Sequence, residues 1–276
     1  MKLAAIVILY YPDKGLFDRL QTYHPWIDKL YIINNSESIQ TLSMAGIQNY
    51  LILHEGSNLG IAAALNLACK KALDDGFDKL LTMDQDSSFL DGDFKLFKSI
   101  ATELNWHDIA SLSPLQAEDS YVERNDEVNA NDVTECMTSG SILNLTKFEV
   151  LGRFDENLFI DHVDHDYCYN ALENGLRILV TKKLKLVHSL GDKATFRFFN
   201  YRLHYVSHSP LRVYYFIRNG YYIAKKHPKF AQKIKRLIRR EILKSLLFEN
   251  ERSKYVKFIM QALKDYSNNK LGKYKG

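Results

Sequence analysis

The chain has 276 residues, which is enough to bury a full hydrophobic core in one α/β domain. Hydrophobic residues make up 46% and charged residues 25%, and this balance excludes a disordered or fibrous protein. Cys69, Cys136 and Cys168 are too widely spaced for a disulfide framework or a zinc pattern. No apolar stretch approaches the roughly 20 residues needed to cross a bilayer. We therefore expect a cytoplasmic protein.

The first half of the chain alternates between strand and helix patterns. Residues 3–9 form a continuous apolar run, which predicts a strand buried on both faces. The same patterns predict strands at 30–33, 50–53, 79–83 and 109–112, and helices at 61–73 and 91–104. This alternation predicts an α/β fold of the Rossmann type, with a mostly parallel sheet and helices on both faces.

The second half is less regular. Residues 116–135 are acidic and polar, which is typical of a loop or a sheet edge. A helix that ends at Gly175 precedes strands at 178–180 and 184–187. Ser209-Pro210 is a helix start, and His227-Pro228 interrupts the helical pattern that follows. We expect one domain at 1–226 and a helical tail at 227–276.

Two carboxylates stand directly after the predicted strand at 79–83. Asp84 and Asp86 would lie at the carboxyl edge of the sheet, where open α/β folds bind their ligands. Their oxygen atoms suit Mg²⁺ or Mn²⁺, and such a cation can neutralise a diphosphate. The same short motif also fits a solvated turn, so the rest of the chain must decide between the two interpretations.

A glycine-rich turn at 56–60 opens an alanine-rich helix. Backbone amides at such a helix start can approach a phosphate or a nucleotide. Gly60 and the alanines equally fit a tight turn and close packing on the sheet. Asn58 and Asn66 fit that structural interpretation less well, because an apolar helix face has no obvious use for them.

A third group combines three carboxylates and two imidazoles within six positions: Asp161, His162, Asp164, His165 and Asp166. Crowded like charges raise the pKa of a carboxyl group and help it to act as a base near neutrality. An ordinary acidic first turn that complements the helix dipole is the alternative. The histidine spacing is poor evidence for a metal site.

His188 ends a predicted strand just before a glycine turn. Lone histidines are usually structural. At the carboxyl edge of the sheet, however, His188 could complete a cation site with Asp86 or contact a diphosphate.

These motifs occur together in a familiar order. The ordered segments are Asn34-Asn35-Ser36, Asn58-x-Gly60-Ile61-Ala62 with Asn66, Asp84-Gln85-Asp86, Thr138-Ser139-Gly140-Ser141, 154–164, His188-x-x-Gly191-Asp192, 208–219 and the closing 271–276. The set resembles the inverting family 2 glycosyltransferases of the GT-A fold. Within them it resembles the bacterial rhamnosyltransferases of polysaccharide synthesis, and the resemblance covers nearly the whole chain.

The resemblance implies a role for each matched residue. Asp164 would be the catalytic base, supported by Asp166. A Mg²⁺ or Mn²⁺ ion would be bound by Asp86 and His188. The residues implied in binding the nucleotide sugar are Leu9, Tyr11, Asn34, Asn58, Asn66, Asp84, Gln85, Ser139 and Gly140. Two departures matter: Asn34 stands where the wider family often has Asp, and Val163 stands where many relatives have Glu.

The resemblance also implies the substrates. The donor would be dTDP-rhamnose, with a UDP-sugar such as UDP-galactofuranose or a UDP-hexose as the alternative. The acceptor would be a glycan or a polyprenyl-diphosphate-linked sugar. A sugar-nucleotide pyrophosphorylase would share the sheet and the cation, but its glycine-rich first loop is missing at Tyr10-Tyr11-Pro12-Asp13. A non-enzymatic membrane-associated scaffold would leave the acidic cluster without a use.

The tail is strongly basic and amphipathic. Its apolar residues recur at helical spacing: Phe230, Ile234, Leu237, Ile238 and Ile242. Its cations lie on another face, among them Lys233, Arg236, Arg240 and Lys244. We expect peripheral contact with anionic lipid at the inner face of the cell membrane, with a helix docked on the catalytic domain as the alternative. No motif for nucleic-acid recognition accompanies the charge.

Overall fold

The computed structural model describes residues 1–38, 44, 46–117, 130–188, 192–198 and 201–276, with only the backbone described at 117, 188, 192–198 and 201–204. The strands are β1 (Ala4–Leu9), β2 (Lys29–Asn34), β3 (Tyr50–His54), β4 (Lys79–Asp84), β5 (Ser87–Phe89), β6 (Ile109–Ala117), β7 (Asn131–Val133), β8 (Ser141–Asn144), β9 (Arg177–His188), β10 (Asp192–Phe198) and β11 (Tyr201–Ser207). The helices are α1 (Leu16–Gln21), α2 (Ile61–Asp74), α3 (Asp93–Glu103), α4 (Leu145–Phe148), α5 (Val163–Glu173), α6 (Pro210–Lys226), α7 (Ala231–Leu247) and α8 (Arg252–Ser267).

A central sheet carries the fold, in the strand order β3-β2-β1-β4-β8-β6-β9-β5, and β7 pairs with β9. The α/β class is confirmed. Strands β3, β2, β1 and β4 are parallel, as the alternating pattern predicts. Strand β8 is antiparallel to both β4 and β6, so the sheet as a whole is mixed. This direction arises because the chain enters β8 beside the carboxyl end of β4, where the Gly140 amide donates to the Thr82 carbonyl at 2.7 Å.

Helices cover both faces of the sheet. Successive residues of β1 point to opposite faces, since Ile6 belongs to the core under α2 and α5, whereas Val7 belongs to the core under α1 and α3. Both residues are fully buried, which explains why β1 is apolar throughout and not alternating.

The helix that opens the C-terminal region has the predicted ends. Ser209 caps α6 by accepting a hydrogen bond from the Arg212 amide at 3.3 Å, and Pro210 occupies its first turn. Helix α6 ends at Lys226, directly before His227-Pro228.

The basic helix α7 packs on α6 with its apolar stripe. Ile234 and Ile238 are fully buried. A Cβ atom added at Gly220 of α6 would lie 2.9 Å from the Ile238 side chain, so glycine permits this close approach. The stripe at 230–242 therefore docks on the protein, as in the second of the two alternatives. The division at residue 226 stays a prediction.

Several features differ from the sequence-based expectations, among them β5, β8 and α1, which are not predicted. Strand β9 is continuous where two strands are predicted. The hairpin of β10 and β11 is not predicted at all. Of the predicted loop at 116–135, β6 takes the start and β7 a later part, while 118–129 lies outside the described residues. In the part of the chain that the structure describes, no helix has both the length and the apolar character that crossing a bilayer requires.

Candidate active site

The carboxyl ends of β1 and β2 form the first wall of the candidate site. The Asn35 amide donates to the Leu9 carbonyl at 2.7 Å, and the Tyr11 amide donates to the Ser36 hydroxyl at 2.7 Å. The Asn34 side-chain oxygen accepts from the Ser36 amide at 3.0 Å. Leu9 and Asn34 are fully buried, whereas Tyr11 is 45% exposed and has a φ of 46°. A left-handed conformation is uncommon for a tyrosine and often marks a functional turn.

The motif at the end of β4 is locked to this wall. The Gln85 side chain accepts from the Tyr10 amide at 2.8 Å and donates to the Tyr10 carbonyl at 2.9 Å. Arg19 donates to the Gln85 carbonyl at 2.5 Å. The Gln85 side chain thus pairs with the Tyr10 backbone as a neighbouring β-strand would. Asp84 and Asp86, on either side of Gln85 in the chain, are half-buried.

Ser139 and Gly140 lie directly against the same motif. The Ser139 hydroxyl accepts from the Asp84 amide at 3.0 Å. Gly140 has a φ of 79°, and a Cβ atom there would lie 2.8 Å from the Leu186 side chain. The register of β4 and β8 therefore brings together two motifs that are more than 50 residues apart in sequence.

The carboxylates that are predicted to bind a cation lie at this edge. Asp84 and Asp86 supply carboxylate oxygens, which divalent cations such as Mg²⁺ prefer. Strand β5 pairs with β9 so that Ser87 is opposite His188, which places the His188 backbone beside the residue that follows Asp86. These residues fit a hard divalent cation. Among the side chains that the structure describes, no group of three or more His, Cys, Asp or Glu residues forms a complete metal site, and the His188 side chain lies outside that set.

The glycine turn before α2 lies beside the end of β2 and forms a second wall of the candidate site. The Asn58 side chain accepts from the Gly60 amide at 2.9 Å, and Asn35 donates to the Gly60 carbonyl at 3.3 Å. Gly60 has a φ of 82°, and a Cβ atom there would lie 2.6 Å from both the ring and the carbonyl of Phe159. Glycine is thus required both by the turn and by the approach of the segment that leads to α5.

Asn66 holds that segment in place. Its amide nitrogen donates to the Phe154 carbonyl at 2.9 Å and to Glu156 at 2.8 Å, and its oxygen accepts from the Phe154 amide at 2.9 Å. The first amide of α2, at Ile61, donates to the Phe159 carbonyl at 2.7 Å. These groups serve the fold here, and their predicted contact with a nucleotide stays a prediction.

A strained turn precedes α5. Asp161 and His162 both have positive φ, at 62° and 64°. Two side chains of α6 hold this turn: Asn219 donates to the Ile160 carbonyl at 2.7 Å, and Arg212 donates to the Asp161 carboxylate at 3.3 Å. Burial raises the pKa of Asp161, while burial and the nearby charge of His165 lower the pKa of His162 to about 3.

Asp164 lies in the first turn of α5 and pairs with the next residue. Its Oδ1 atom accepts from the His165 backbone amide at 2.8 Å and lies 2.9 Å from His165 Nδ1. Burial disfavours both charged forms, but the mutual attraction outweighs it. The pKa of Asp164 is lowered, and the pKa of His165 is raised to about 9 with help from Glu135. The expectation that crowding raises the base's pKa is therefore wrong, because an imidazolium is its nearest partner.

Asp166 is on a different side of α5, about 200° around the helix from Asp164. Its side chain is 3% exposed and forms ion pairs at 2.9 Å with Lys226 and with His227 Nε2. His227 Nδ1 in turn lies 2.7 Å from Glu173. The network joins α5 to the end of α6, so any support that Asp166 gives to the base would act through the position of the helix.

Comparisons with known proteins were made for the whole chain. No family model matches it. A dTDP-rhamnosyl transferase, RfbF of Shigella flexneri, is 25% identical over 270 residues, which are 91% of this chain and 89% of that protein. The fold matches S. aureus TarS residues 1–349 in complex with UDP-GlcNAc, with a TM-score of 0.54, 18% identity, and coverage of 97% of this chain and 73% of that one. It also matches GalNAc-T7 with UDP, GalNAc and Mn²⁺, with a TM-score of 0.58, 9% identity, and coverage of 97% and 56%.

The chain has the fold of the GT-A glycosyltransferases and is similar in sequence to a dTDP-rhamnosyl transferase. In this GT-A fold the ends of β1, β2 and β4, the Ser139-Gly140 turn and the Gly60 turn adjoin one another through the hydrogen bonds above. The Gly60 turn also contacts the segment that carries Asp164. The predicted residues at these strand ends and turns are thus linked, and Asp164 is joined to them through the segment at Phe159. The partners of Asp166 lie in α6 and beyond, and Asn66 faces the loop at 154–156.

One residue of the candidate site was not predicted. Glu135 lies 3.9 Å from His165 Nε2 and 2.5 Å from Lys233, and it also accepts a hydrogen bond from Tyr169. Together with Asp164, Glu135 stabilises the protonated form of His165 and so raises its pKa. Its local sequence is that of a polar loop, and its partners lie 30 or more residues away, so no local pattern indicates this role.

Proposed function

We propose that this glycosyltransferase transfers L-rhamnose from dTDP-rhamnose, with inversion, to a glycan or a polyprenyl-diphosphate-linked acceptor in the synthesis of a bacterial surface polysaccharide. The observation that carries this proposal is the similarity to a dTDP-rhamnosyl transferase over 91% of the chain. The sheet edge supports it, because the carboxylates Asp84 and Asp86 follow β4 there and Asp164 lies in the first turn of α5.

In this proposal the nucleotide of the donor lies along the ends of β1 and β2. The exposed Tyr11 and the buried Asn34 would flank the base, with the Leu9 backbone beneath it and Asn58 nearby. Asp84 and Gln85 would face the ribose, while Ser139 and Gly140 would line the sugar pocket. The tight contacts among these residues mean that the pocket is formed before the donor binds, which lowers the entropic cost of binding.

Asp164 is proposed as the base. Its carboxylate would take the proton of the acceptor hydroxyl while the hydroxyl oxygen bonds to the anomeric carbon and the nucleoside diphosphate leaves from the opposite face. Because its pKa is lowered, Asp164 is ionised throughout the neutral range and able to accept the proton. The side chain is 25% exposed, so an acceptor can reach it.

Mg²⁺ or Mn²⁺ is the proposed cofactor, held by Asp86 with His188. A bound cation supplies positive charge against the charge that develops on the leaving diphosphate. The side chains that fix the motif are Gln85, through the Tyr10 backbone, and Ser139, through the Asp84 amide.

A UDP-sugar donor is the second candidate. It is favoured by the solved neighbours, since TarS was crystallised with UDP-GlcNAc and GalNAc-T7 with UDP. The fold, the base and the cation would be the same.

Binding and hydrolysis of a panel of sugar nucleotides test these proposals, with Mg²⁺, with Mn²⁺ and with EDTA. Selective use of dTDP-rhamnose that EDTA abolishes is the expected result. Asp86→Asn should abolish the hydrolysis that requires the metal. Asp91→Asn is the matched control, because Asp91 is an exposed carboxylate nearby in the chain. Preference for a UDP-sugar would move the donor to the second candidate, and failure of a folded protein to bind any sugar nucleotide would contradict both.

We also propose that the protein works in the cytoplasm and contacts the inner face of the membrane peripherally. Apolar side chains on α7 and α8 remain exposed after docking: Leu243 is 56%, Leu247 53% and Met260 63% exposed. Exposed cations accompany them on α7: Lys235, Arg236, Arg239 and Arg240. Exposed apolar residues among cations are typical of a surface that binds anionic lipid.

Sedimentation with vesicles tests this contact. Binding to anionic vesicles that weakens with salt, and that is absent with neutral vesicles, is the expected result. The double variant Leu243→Gln, Leu247→Gln should bind less, whereas Val150→Gln, which removes an apolar side chain that is 75% exposed elsewhere, should bind normally. Equal binding by all three proteins would contradict the proposal.

A further inference from the structure

The segment after α8 returns to the candidate site. The Gly272 amide donates to the Asn157 carbonyl at 2.9 Å, and Arg218 donates to the Gly272 carbonyl at 2.8 Å. The Tyr274 amide donates to the Tyr215 hydroxyl at 2.8 Å. Three hydrogen bonds thus fix the backbone on both sides of Lys273.

Arg218 makes this attachment rigid. It is 1% exposed, and its guanidinium also donates to the Tyr214 hydroxyl at 2.9 Å and to the Asn219 side chain at 3.0 Å. A buried arginine that has lost its hydration holds its partners strongly, because each unmade hydrogen bond would leave a buried, charged donor unsatisfied. Gly272 has a φ of 76°, which suits the turn that presents the next residue.

Lys273, by contrast, is not held firmly. Its ammonium lies 3.5 Å from Glu37 and 5.9 Å from the centre of the Phe159 ring. The two side chains of the ion pair are 50% and 62% exposed, and a pair this exposed contributes little to stability. The backbone at Lys273 is therefore fixed, whereas its ammonium group is only weakly paired.

The cation stands beside the wall proposed for the nucleotide. Glu37 follows Asn34 by three residues at the end of β2, and Phe159 packs against Gly60 at the start of α2. Asp84 and Asp86 add carboxylates at the end of the neighbouring β4, and Arg19 is already bound to Asp13 and to the Gln85 carbonyl. An incoming diphosphate would meet an anionic edge unless a cation accompanied it.

We propose that Lys273 binds the nucleoside diphosphate of the donor, exchanging Glu37 for a phosphate oxygen. This inference rests on the proposed function, since it requires a nucleotide along the ends of β1 and β2. A charge-assisted hydrogen bond from lysine to phosphate is stronger than the exposed pair that it replaces. The segment at 271–274 would then act as part of the donor site, although it lies more than 100 residues beyond Asp164 in the chain.

Calorimetric titration of dTDP and of UDP into the full chain with Mg²⁺ tests this proposal. Lys273→Gln should weaken binding about tenfold at low salt and less at high salt, because salt screens the lost attraction. Lys273→Arg should restore most of the affinity. Lys275→Gln is the matched control, since Lys275 is exposed in the same segment and should leave binding unchanged. Melting curves confirm that each variant is folded.

Equal affinity of Lys273→Gln and the unaltered protein would overturn the proposal, as would the same loss in Lys275→Gln. A loss that is independent of salt, and that Lys273→Arg does not repair, would also overturn it, because it would indicate altered packing of the segment. If the unaltered protein bound neither nucleotide, the proposed function itself would fail, and this outcome is distinct from the other three.

Discussion

Replacing Asp164 with Asn tests its proposed role as the base while it keeps the local structure. The substitution keeps the size and shape of the side chain but removes the charge that accepts the proton. The oxygen that receives the His165 backbone amide at 2.8 Å can remain in place, so the start of α5 should be preserved. We expect turnover to fall while donor binding is retained.

The size of both effects follows from the geometry. General base catalysis is worth roughly 10²- to 10⁴-fold, which corresponds to about 3 to 5 kcal/mol in the barrier. For stability, the pKa of His165 rises from 6.5 to about 9 because Asp164 and Glu135 favour its charged form. A shift of this size is worth about 3 kcal/mol in total, of which Asp164→Asn removes a part. Since the folded pKa is raised, that stabilisation is complete below about pH 6.5 and is lost as the pH rises through about 9.

Chemical denaturation first gives the free energy of unfolding of Asp164→Asn and of Asp166→Asn. Their transfer rates are then compared at neutral pH, well below their melting temperatures. Asp166→Asn is the matched control, because its carboxylate is 3% exposed and paired with Lys226 and His227. Breaking a buried pair costs about 3 to 5 kcal/mol, and the lower end applies because Lys226 keeps Asp155 as a second partner. Asp166→Asn should therefore lose stability and keep its rate per folded molecule.

Turnover by Asp164→Asn within threefold of the unaltered protein would refute Asp164 as the base. Loss of turnover in Asp166→Asn without loss of stability would show that Asp166 takes part in the chemistry directly.

Three other substitutions test the surroundings of the site. Gly60→Ala places a Cβ atom 2.6 Å from Phe159 at a φ of 82°, so it should lower the free energy of unfolding by about 1 to 3 kcal/mol and weaken nucleotide binding; unchanged denaturation would contradict the described turn. His165→Gln should flatten the fall in stability between about pH 6.5 and 9, measured by denaturation across that range, and an unaltered profile would place the titrating group elsewhere. Asn66→Ala leaves the amide and carbonyl of Phe154 without the side chain that pairs with them, and it should lower the free energy of unfolding, measured in urea, by about 1 to 3 kcal/mol. An unchanged free energy of unfolding would mean that water replaces the side chain.

Local chemistry made much of the fold predictable. The apolar run of β1 and the Ser209-Pro210 start of α6 are signals contained within a few residues, and the structure confirms both. The hairpin of β10 and β11 was missed although residues 192–198 alternate polar and apolar side chains over part of their length, which is itself a strand signal.

The electrostatics of the site were less predictable. The sequence shows that Asp161, Asp164 and Asp166 are close in the chain, and this suggests repulsion. It does not show that each has a different partner: Arg212 for Asp161, His165 for Asp164, and Lys226 for Asp166. The balance between burial and the nearest charge decides the direction of a pKa shift, since burial raises the pKa of Asp161 despite Arg212 whereas His165 lowers that of Asp164. That balance depends on tertiary contacts.

The tail shows a second limit. An apolar stripe such as Ile234 and Ile238 has the same spacing whether it faces lipid or another helix. Only the contact with Gly220 of α6 distinguishes the two, and that contact joins positions 18 residues apart. The exposed side chains left over on α7 and α8 are then the relevant surface for a membrane.

The antiparallel strand β8 also bears on how such an enzyme can diverge. The parallel strands whose ends frame the proposed nucleotide wall are complete by residue 84, and the helix that presents Asp164 begins only at residue 163, beyond β8. Recombination between related genes within the segment that leads into β8 would therefore leave these strand ends intact, while it exchanges the helix of Asp164 together with His188 and Lys273. Such a hybrid must keep the fit between Gly60 and Phe159, because this close contact joins the two blocks.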